Sequence, residues 1–291
     1  MSLDDDYELI DFGHGRKLER FGDRVLDRPS PAAEEMTPYG SAQWRDPCGR
    51  FERSAGERGF WQWRRRPEAD WAMRTEGFVL GLEPSEFGHV GVFPEQQANW
   101  RLLSRYAAEA PRPPIVLNLF GYTGGSTLAV ARHAEETVHV DSSKPMVERA
   151  RRNAERSGLA ERRIRWIVDD VRDFCRREVR RTRFYDAVIL DPPSYGHGVK
   201  GKAWSIESHL VPLLEDIGRL LFAPAAPAGE RLLLFSSHSP TIDRHRAADL
   251  VEQAIPRIAK GIPLTHRNRI LDRSGRALDF GLTVGWRIAV D

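Results

Sequence analysis

Between Tyr7 and Leu26 the chain runs in short alternating apolar and polar stretches broken by Gly13, Gly15 and Gly22, which predicts a small β-meander. Short apolar runs at residues 60–66 (FWQWRRR) and 78–83 (FVLGLE) predict further strands, with proline-containing loops between them. Residues 1–85 thus read as a small β-rich domain. The period then changes. Trp100, Leu102, Leu103, Tyr106 and Ala107 fall on one helical face, and PRPP at residues 111–114 separates that helix from the rest of the chain.

Beyond the prolines, strands and helices alternate. Strands are predicted at residues 115–120, 137–141, 164–170, 185–191 and 231–237, and helices at 126–134, 143–158, 171–181, near 207–221 and near 243–260. Such alternation implies an α/β domain with a parallel, doubly wound sheet over residues 86–291. The last apolar run, FGLTVGWRIAV, comes after a short turn at Arg273–Gly275 with no helix before it. It is therefore expected to close the sheet as an antiparallel hairpin.

With 291 residues and 41% hydrophobic content, the chain can bury a substantial core. No apolar run approaches the roughly 18 residues that span a bilayer, and the opening MSLDDDYELI is acidic where a secretory leader is basic and then apolar. A cytoplasmic location is the resulting expectation. Cys48 and Cys175 form neither a disulfide framework nor a CxxC knuckle, so they read as free thiols and no metal site is expected. Residues 1–110 carry 15 basic and 20 acidic side chains, net −5, which leaves 44−15=29 against 42−20=22, net +7, for the remainder. A basic C-terminal part suits a polyanionic partner. The 39 arginines against 5 lysines also fit a GC-rich genome, so charge carries little weight by itself.

Candidate chemistry collects at predicted strand ends, where open α/β sheets bind their ligands. LNLFGYTGGSTLAV places Gly121, Gly124 and Gly125 after the first strand of this sheet, where the backbone can turn tightly and approach a ligand. Asp141 ends the second strand about twenty residues further on, the place from which a carboxylate accepts ribose hydroxyls. Asp170 closes the third strand, in position to accept from an adenine amino group. Together these strand ends predict a nucleoside pocket. The loop lacks the third glycine of a dinucleotide fingerprint, which disfavours a nicotinamide-linked oxidoreductase. After the fourth strand comes DPPSYGHG at residues 191–198, which by composition alone is a turn.

The succession LNLFGYTGG, HVDSSKPMVERARRNAERSGL, IRWIVDDVRDF and YDAVILDPPSYG resembles the class I S-adenosylmethionine-dependent methyltransferases. Within them it is similar to the bacterial large-subunit ribosomal RNA methyltransferases that modify cytosine C5 or guanine N7, over about residues 88–240. The resemblance implies a seven-stranded Rossmann-like sheet with an antiparallel closing strand, S-adenosylmethionine as cofactor and RNA as substrate. It further implies that Phe120, Gly121, Tyr122, Thr123 and Gly124 line the methionine side, that Asp141 holds the ribose, that Asp170 faces the adenine, and that Ser142 belongs to the same cofactor site. Glu95 and Gln96 match an acid-Gln-Arg element beside the cofactor, with Gln97 in the arginine's place, and Asp191 begins the acceptor motif.

A cytosine-C5 reaction needs a thiolate to add to the ring. In the C5 branch one such cysteine comes after the fifth strand, but this chain has FSSHS there, with Ser237 in the cysteine's place. A nitrogen acceptor is therefore expected. Asp191, Pro192 and Pro193 then offer acceptors for an amino or ring N–H, and Tyr195 a face on which a base stacks. Lys200 and Lys202 are candidate phosphate contacts, and Trp61 and Trp63 beside Arg64–Arg66 suit either RNA contact or an inward-facing strand. His238 and His133 read as structural histidines, and the arginines between Arg149 and Arg183 as a solvated face. Rival readings are a methyltransferase acting on a small molecule or protein, and a non-catalytic RNA-binding factor.

Overall fold

A computed structural model of the chain describes residues 6–40, 42–54, 58–197, 203–239 and 241–290. It divides into two compact units, Met1–Gln97 with Asn268–Phe280, and Ala98–Arg267 with Gly281–Asp291. The expected division at 85/86 differs in two respects: the first unit extends to Gln97, and the tip of the C-terminal hairpin belongs to it.

The first unit holds a five-stranded sheet in sequential order: β1 (Tyr7–Gly13), β2 (Arg16–Phe21), β3 (Arg24–Pro29), β4 (Gly49–Arg53) and β5 (Gly59–Trp63). The predicted meander is β1–β3, and β4 joins parallel to β3 after a long connection. A separate hairpin pairs β6 (Ala72–Thr75) with β7 (Phe78–Gly81). Phe12, Leu18, Phe21, Leu26 and Phe51 are buried in its core. Trp61 and Trp63 stack at 4.8 Å and lie half-buried on one face of β5, with Trp61 also against Phe51. Of the two readings of this stretch, the inward-facing strand is the one observed. The hairpin tip is fixed to β1 by a parallel bridge from Leu9 to Asp272 and by Arg276, which pairs with Asp11 and lies 4.5 Å from the Phe12 ring. These contacts are non-local, which is why local pattern does not reveal them.

The second unit is built on a seven-stranded sheet. In chain order its strands are β8 (Ile115–Leu119), β9 (Glu136–Asp141), β10 (Ile164–Val168), β11 (Ala187–Leu190), β14 (Gly229–Ser237), β15 (Ile262–Leu271) and β16 (Ala277–Val290), while β12 (Tyr195–His197) and β13 (Ala203–Ser205) form a separate two-stranded ribbon. The spatial order in the main sheet is β10-β9-β8-β11-β14-β16-β15. Pairing is parallel through β14 and antiparallel between β14 and β16, as the hairpin pattern predicts. The helices are α1 (Gln97–Glu109), α2 (Gly125–Ala131), α3 (Lys144–Arg156), α4 (Val171–Arg180), α5 (Ile206–Leu221) and α6 (Arg244–Ala254). Helix α6 stops short of the predicted residue 260 because Pro256 lacks an N–H, and a 3-10 turn covers Pro256–Lys260.

Strand side chains alternate between the faces of a sheet. Ile115, Leu117 and Leu119 accordingly join a core with Phe174 of α4, Leu210, Leu214 and Ile217 of α5, and Val251 of α6. Asn118, one residue out of phase, instead donates to Thr127 Oγ1 of α2 at 2.9 Å. This two-sided burial holds the strand ends at a common level, where the site is assembled.

Candidate active site

The loop after β8 is tightly held. Phe120 and Tyr122 have φ values of 56° and 49°, a left-handed conformation that costs energy for non-glycine residues and persists where surroundings enforce it. Asp141 supplies part of that enforcement: Oδ2 accepts from the Tyr122 N–H at 2.9 Å and Oδ1 from the Ser143 N–H at 2.8 Å. Burial raises the Asp141 pKa, against these two donors, which lower it. A Cβ at Gly121 would stand 2.4 Å from the His139 ring, so any larger residue there displaces the loop. Thr123 is buried, and its carbonyl accepts from Asn153 Nδ2 of α3 at 2.9 Å.

Asp170 caps α4, accepting from the Arg172 N–H at 2.9 Å, while the Arg172 guanidinium grips both carboxylate oxygens. Burial works to raise its pKa, but the bond and charge of Arg172 hold the carboxyl below its ordinary value. It is therefore an ionised group that is already well satisfied.

The end of β11 leads directly into DPPSY, whose structure exceeds the loop that its glycines suggest. Tyr195 opens strand β12, which pairs antiparallel with β13. Trp204 of β13 turns back to donate from Nε1 to the Pro193 carbonyl at 2.7 Å and packs edge-on against Phe120 at 4.8 Å. Nothing in the local sequence pattern marks this tryptophan. The pocket so formed is lined by Phe120, Ser142, Asp170, Val171, Pro193, Gly196 and Trp204, and encloses about 50 Å³.

Four sequence-predicted residues therefore share a pocket: Phe120, Ser142, Asp170 and Pro193. Asp141 adjoins it by bracing the loop, and Tyr195 is exposed at 71%, which makes its ring available rather than a cap on the core. Gln96 is buried within the N-terminal unit. Lys200 and Lys202 lie outside the described residues. His238, read from sequence as structural, has Nε2 at 3.2 Å from Asp191 Oδ1. Ser237 is buried, and its Oγ accepts from the Ser239 N–H at 3.3 Å. The arginine-rich stretch is partly spent on two buried acids: Arg163, Arg165 and Arg183 pair with Glu136, and Arg181 with Glu178.

A mixed sheet of this order, carrying a braced loop and two carboxylates at successive strand ends, defines a nucleoside-binding α/β protein. The chain belongs to the S-adenosylmethionine-dependent methyltransferase family, whose profile matches residues 59–234. A SAM-dependent methyltransferase from Agrobacterium tumefaciens of known crystal structure is 32% identical, covers 97% of this chain and 90% of its own, and superposes with a TM-score of 0.88. Ribosomal RNA large subunit methyltransferase I of Aeromonas salmonicida is 33% identical over 49% of this chain and 34% of its own length. The 23S rRNA (uracil(1939)-C(5))-methyltransferase of Alkalilimnicola ehrlichii is 34% identical over 44% of this chain and 28% of its own. The chain thus spans about a third of the length of these two curated relatives.

The donor set fits S-adenosylmethionine. The Asp141 carboxylate stands at the end of β9 against the loop after β8, the Asp170 carboxylate lies in the pocket beside an apolar wall of Val171 and Phe120, and Gly121 leaves the backbone between them with no side chain in the way.

Proposed function

We propose that this protein transfers the methyl group of S-adenosylmethionine to a base in RNA, ribosomal RNA foremost, and that the acceptor atom is nitrogen rather than cytosine C5. One observation carries the reading: the fourth strand of the sheet ends in Asp191-Pro192-Pro193, beside the pocket, with Tyr195 exposed just beyond. Phe120, Gly121, Tyr122, Thr123 and Gly124 serve the methionine side, Asp141 the ribose and Asp170 the adenine, with Ser142 in the same pocket. The bound cofactor supplies an activated methyl group whose sulfur leaves with the bonding electrons. This chain's residues do the positioning, the main source of acceleration in a direct transfer.

On the acceptor side, Asp191 and the proline carbonyls accept from the base, with the Pro193 carbonyl shared with Trp204, and Tyr195 stacks on the ring. A base within a duplex must be flipped out to reach them. The choice of nitrogen rests on the thiols. Cys175 is fully buried, and burial pushes its thiol pKa far up, while Cys48 lies in the N-terminal unit. Ser237, where the C5 branch carries cysteine, is buried and an ordinary alcohol. No helix of the described residues is long and apolar enough to cross a membrane, and the cytoplasm, where ribosomal RNA resides, is the proposed location.

Mass spectrometry of ribosomal RNA nucleosides from cells with and without this protein tests the proposal. The expected result is one methylated nucleoside lost on deletion and restored by the purified enzyme with S-adenosylmethionine. Identical nucleoside profiles would refute the RNA assignment. RNA methylation is also expected to decline steeply with salt, a slope that a small neutral acceptor does not produce.

A further inference from the structure

Strands β11 and β14 are parallel neighbours with Leu190 opposite Phe235, so the residues just past both strands emerge side by side. Asp191 directly follows the first, and His238 directly follows Ser237, the last residue of the second. His238 Nε2 comes to 3.2 Å from Asp191 Oδ1, and both side chains are about one-third exposed, at 36% and 30%. The backbone that carries His238 is crowded from behind: a Cβ on Gly281 of β16 would lie 2.2 Å from the Ser237 carbonyl oxygen and 3.2 Å from the His238 Cα. Gly281 has φ +119°, a conformation that glycine tolerates, so the chain passes there at a separation that no other residue allows. The imidazole is thereby placed against the first residue of the acceptor motif.

We infer that His238, oriented by Asp191, is the proton acceptor of the transfer step, taking the acceptor's proton on Nδ1 while Nε2–H faces the carboxylate. The inference rests on the methyl-transfer reading above. In the step, the nitrogen lone pair of the acceptor forms the new N–C bond, and the C–S bond breaks with both electrons going to sulfur. The N–H proton passes to His238 Nδ1. The neutral imidazole becomes an imidazolium whose charge the Asp191 carboxylate faces, and the proton is then released to water. A carboxylate that fixes the tautomer and orientation of a histidine base is a known catalytic arrangement. Here it is built from two strand ends.

Two measurements on the full chain test this. Long-range proton–nitrogen NMR of histidine-labelled enzyme reads the tautomer without any substrate, with the His238 signals assigned by their loss in His238→Gln. The expected neutral form carries its proton on Nε2 and loses that preference in Asp191→Asn; an Nδ1–H tautomer overturns the proposal. Single-turnover methylation of RNA is expected to slow at least about 100-fold in His238→Ala. Free imidazole should restore part of that loss, and the Kd values for S-adenosylhomocysteine and RNA should stay within about twofold of wild type. A rate close to wild type, or a loss that imidazole does not relieve, overturns it, and His238→Asn serves if the alanine variant does not fold. Wild-type enzyme that methylates no RNA would instead refute the RNA reading, while the NMR result is independent of it.

Discussion

The Tyr122 backbone N–H donates to Asp141 Oδ2 at 2.9 Å, so the carboxylate that ends β9 also fixes the loop after β8. Removing it costs the shape of the loop and, on the proposed function, the ribose contact as well. Asp141→Ala is expected to weaken S-adenosylhomocysteine binding at least about tenfold, or ~1.4 kcal/mol, by isothermal titration calorimetry. Wild-type affinity in this variant would remove Asp141 from the cofactor set.

Tyr195 is exposed on β12 next to the proline pair, a placement that suits stacking on an extruded base. Tyr195→Ala is expected to cost about 1–3 kcal/mol of RNA affinity with S-adenosylhomocysteine affinity unchanged, and Tyr195→Phe should bind like wild type. Fluorescence anisotropy with labelled RNA measures both. Equal loss in the phenylalanine variant would point to the hydroxyl instead of the ring.

At the opposite end of β11, Asp186 is 2% exposed and accepts from Arg112, from Arg231 and from the Ile115 N–H. Arg231 is itself 1% exposed, so losing the acid leaves a buried guanidinium without its counter-charge. Asp186→Ala should therefore destabilise the fold by about 3–5 kcal/mol in urea unfolding. A change under ~1 kcal/mol would mean that water enters to solvate the arginines.

Burial pushes the His139 imidazole pKa down to about 3, so the folded chain keeps it neutral. The unfolded chain protonates it near its ordinary value of about 6.5. Between those values the unfolded state binds the extra proton. Stability from this group is thus intact above about pH 6.5 and declines by about 1.4 kcal/mol per pH unit as the pH falls toward 3. Urea unfolding at several pH values should show that slope in wild type and a shallower one, by about one proton, in His139→Asn.

Direct transfer leaves no covalent link between protein and base. RNA containing a fluorinated cytosine is expected to yield no adduct that survives a denaturing gel. A stable adduct would restore cytosine C5 as the acceptor, and mapping it would name the nucleophile.

Much of the α/β unit is legible without a structure, because apolar period, proline and glycine breaks and strand-end acids are local signals. The glycine loop, Asp141, Asp170 and DPPSY are all legible in that way. Residues that gain their role by folding back are not. Trp204 is one apolar residue near a glycine-rich loop until β12 and β13 pair and aim its indole at the Pro193 carbonyl. The hairpin tip carries a turn signal at Arg273–Gly275, but no sign that Arg276 pairs with Asp11 of β1.

The sequence by itself determined the alternation of strands and helices in the main sheet, the antiparallel closing hairpin and the residue types at those strand ends, since each depends on neighbours a few positions away. Tertiary structure decided which ends meet. Asp191 and His238 are 238−191=47 residues apart, and become a pair because β11 and β14 lie adjacent in the sheet and Gly281 lets β16 crowd the second of them. Strand adjacency is a property of the whole packed core and of the loops closed to form it, and no local period encodes it.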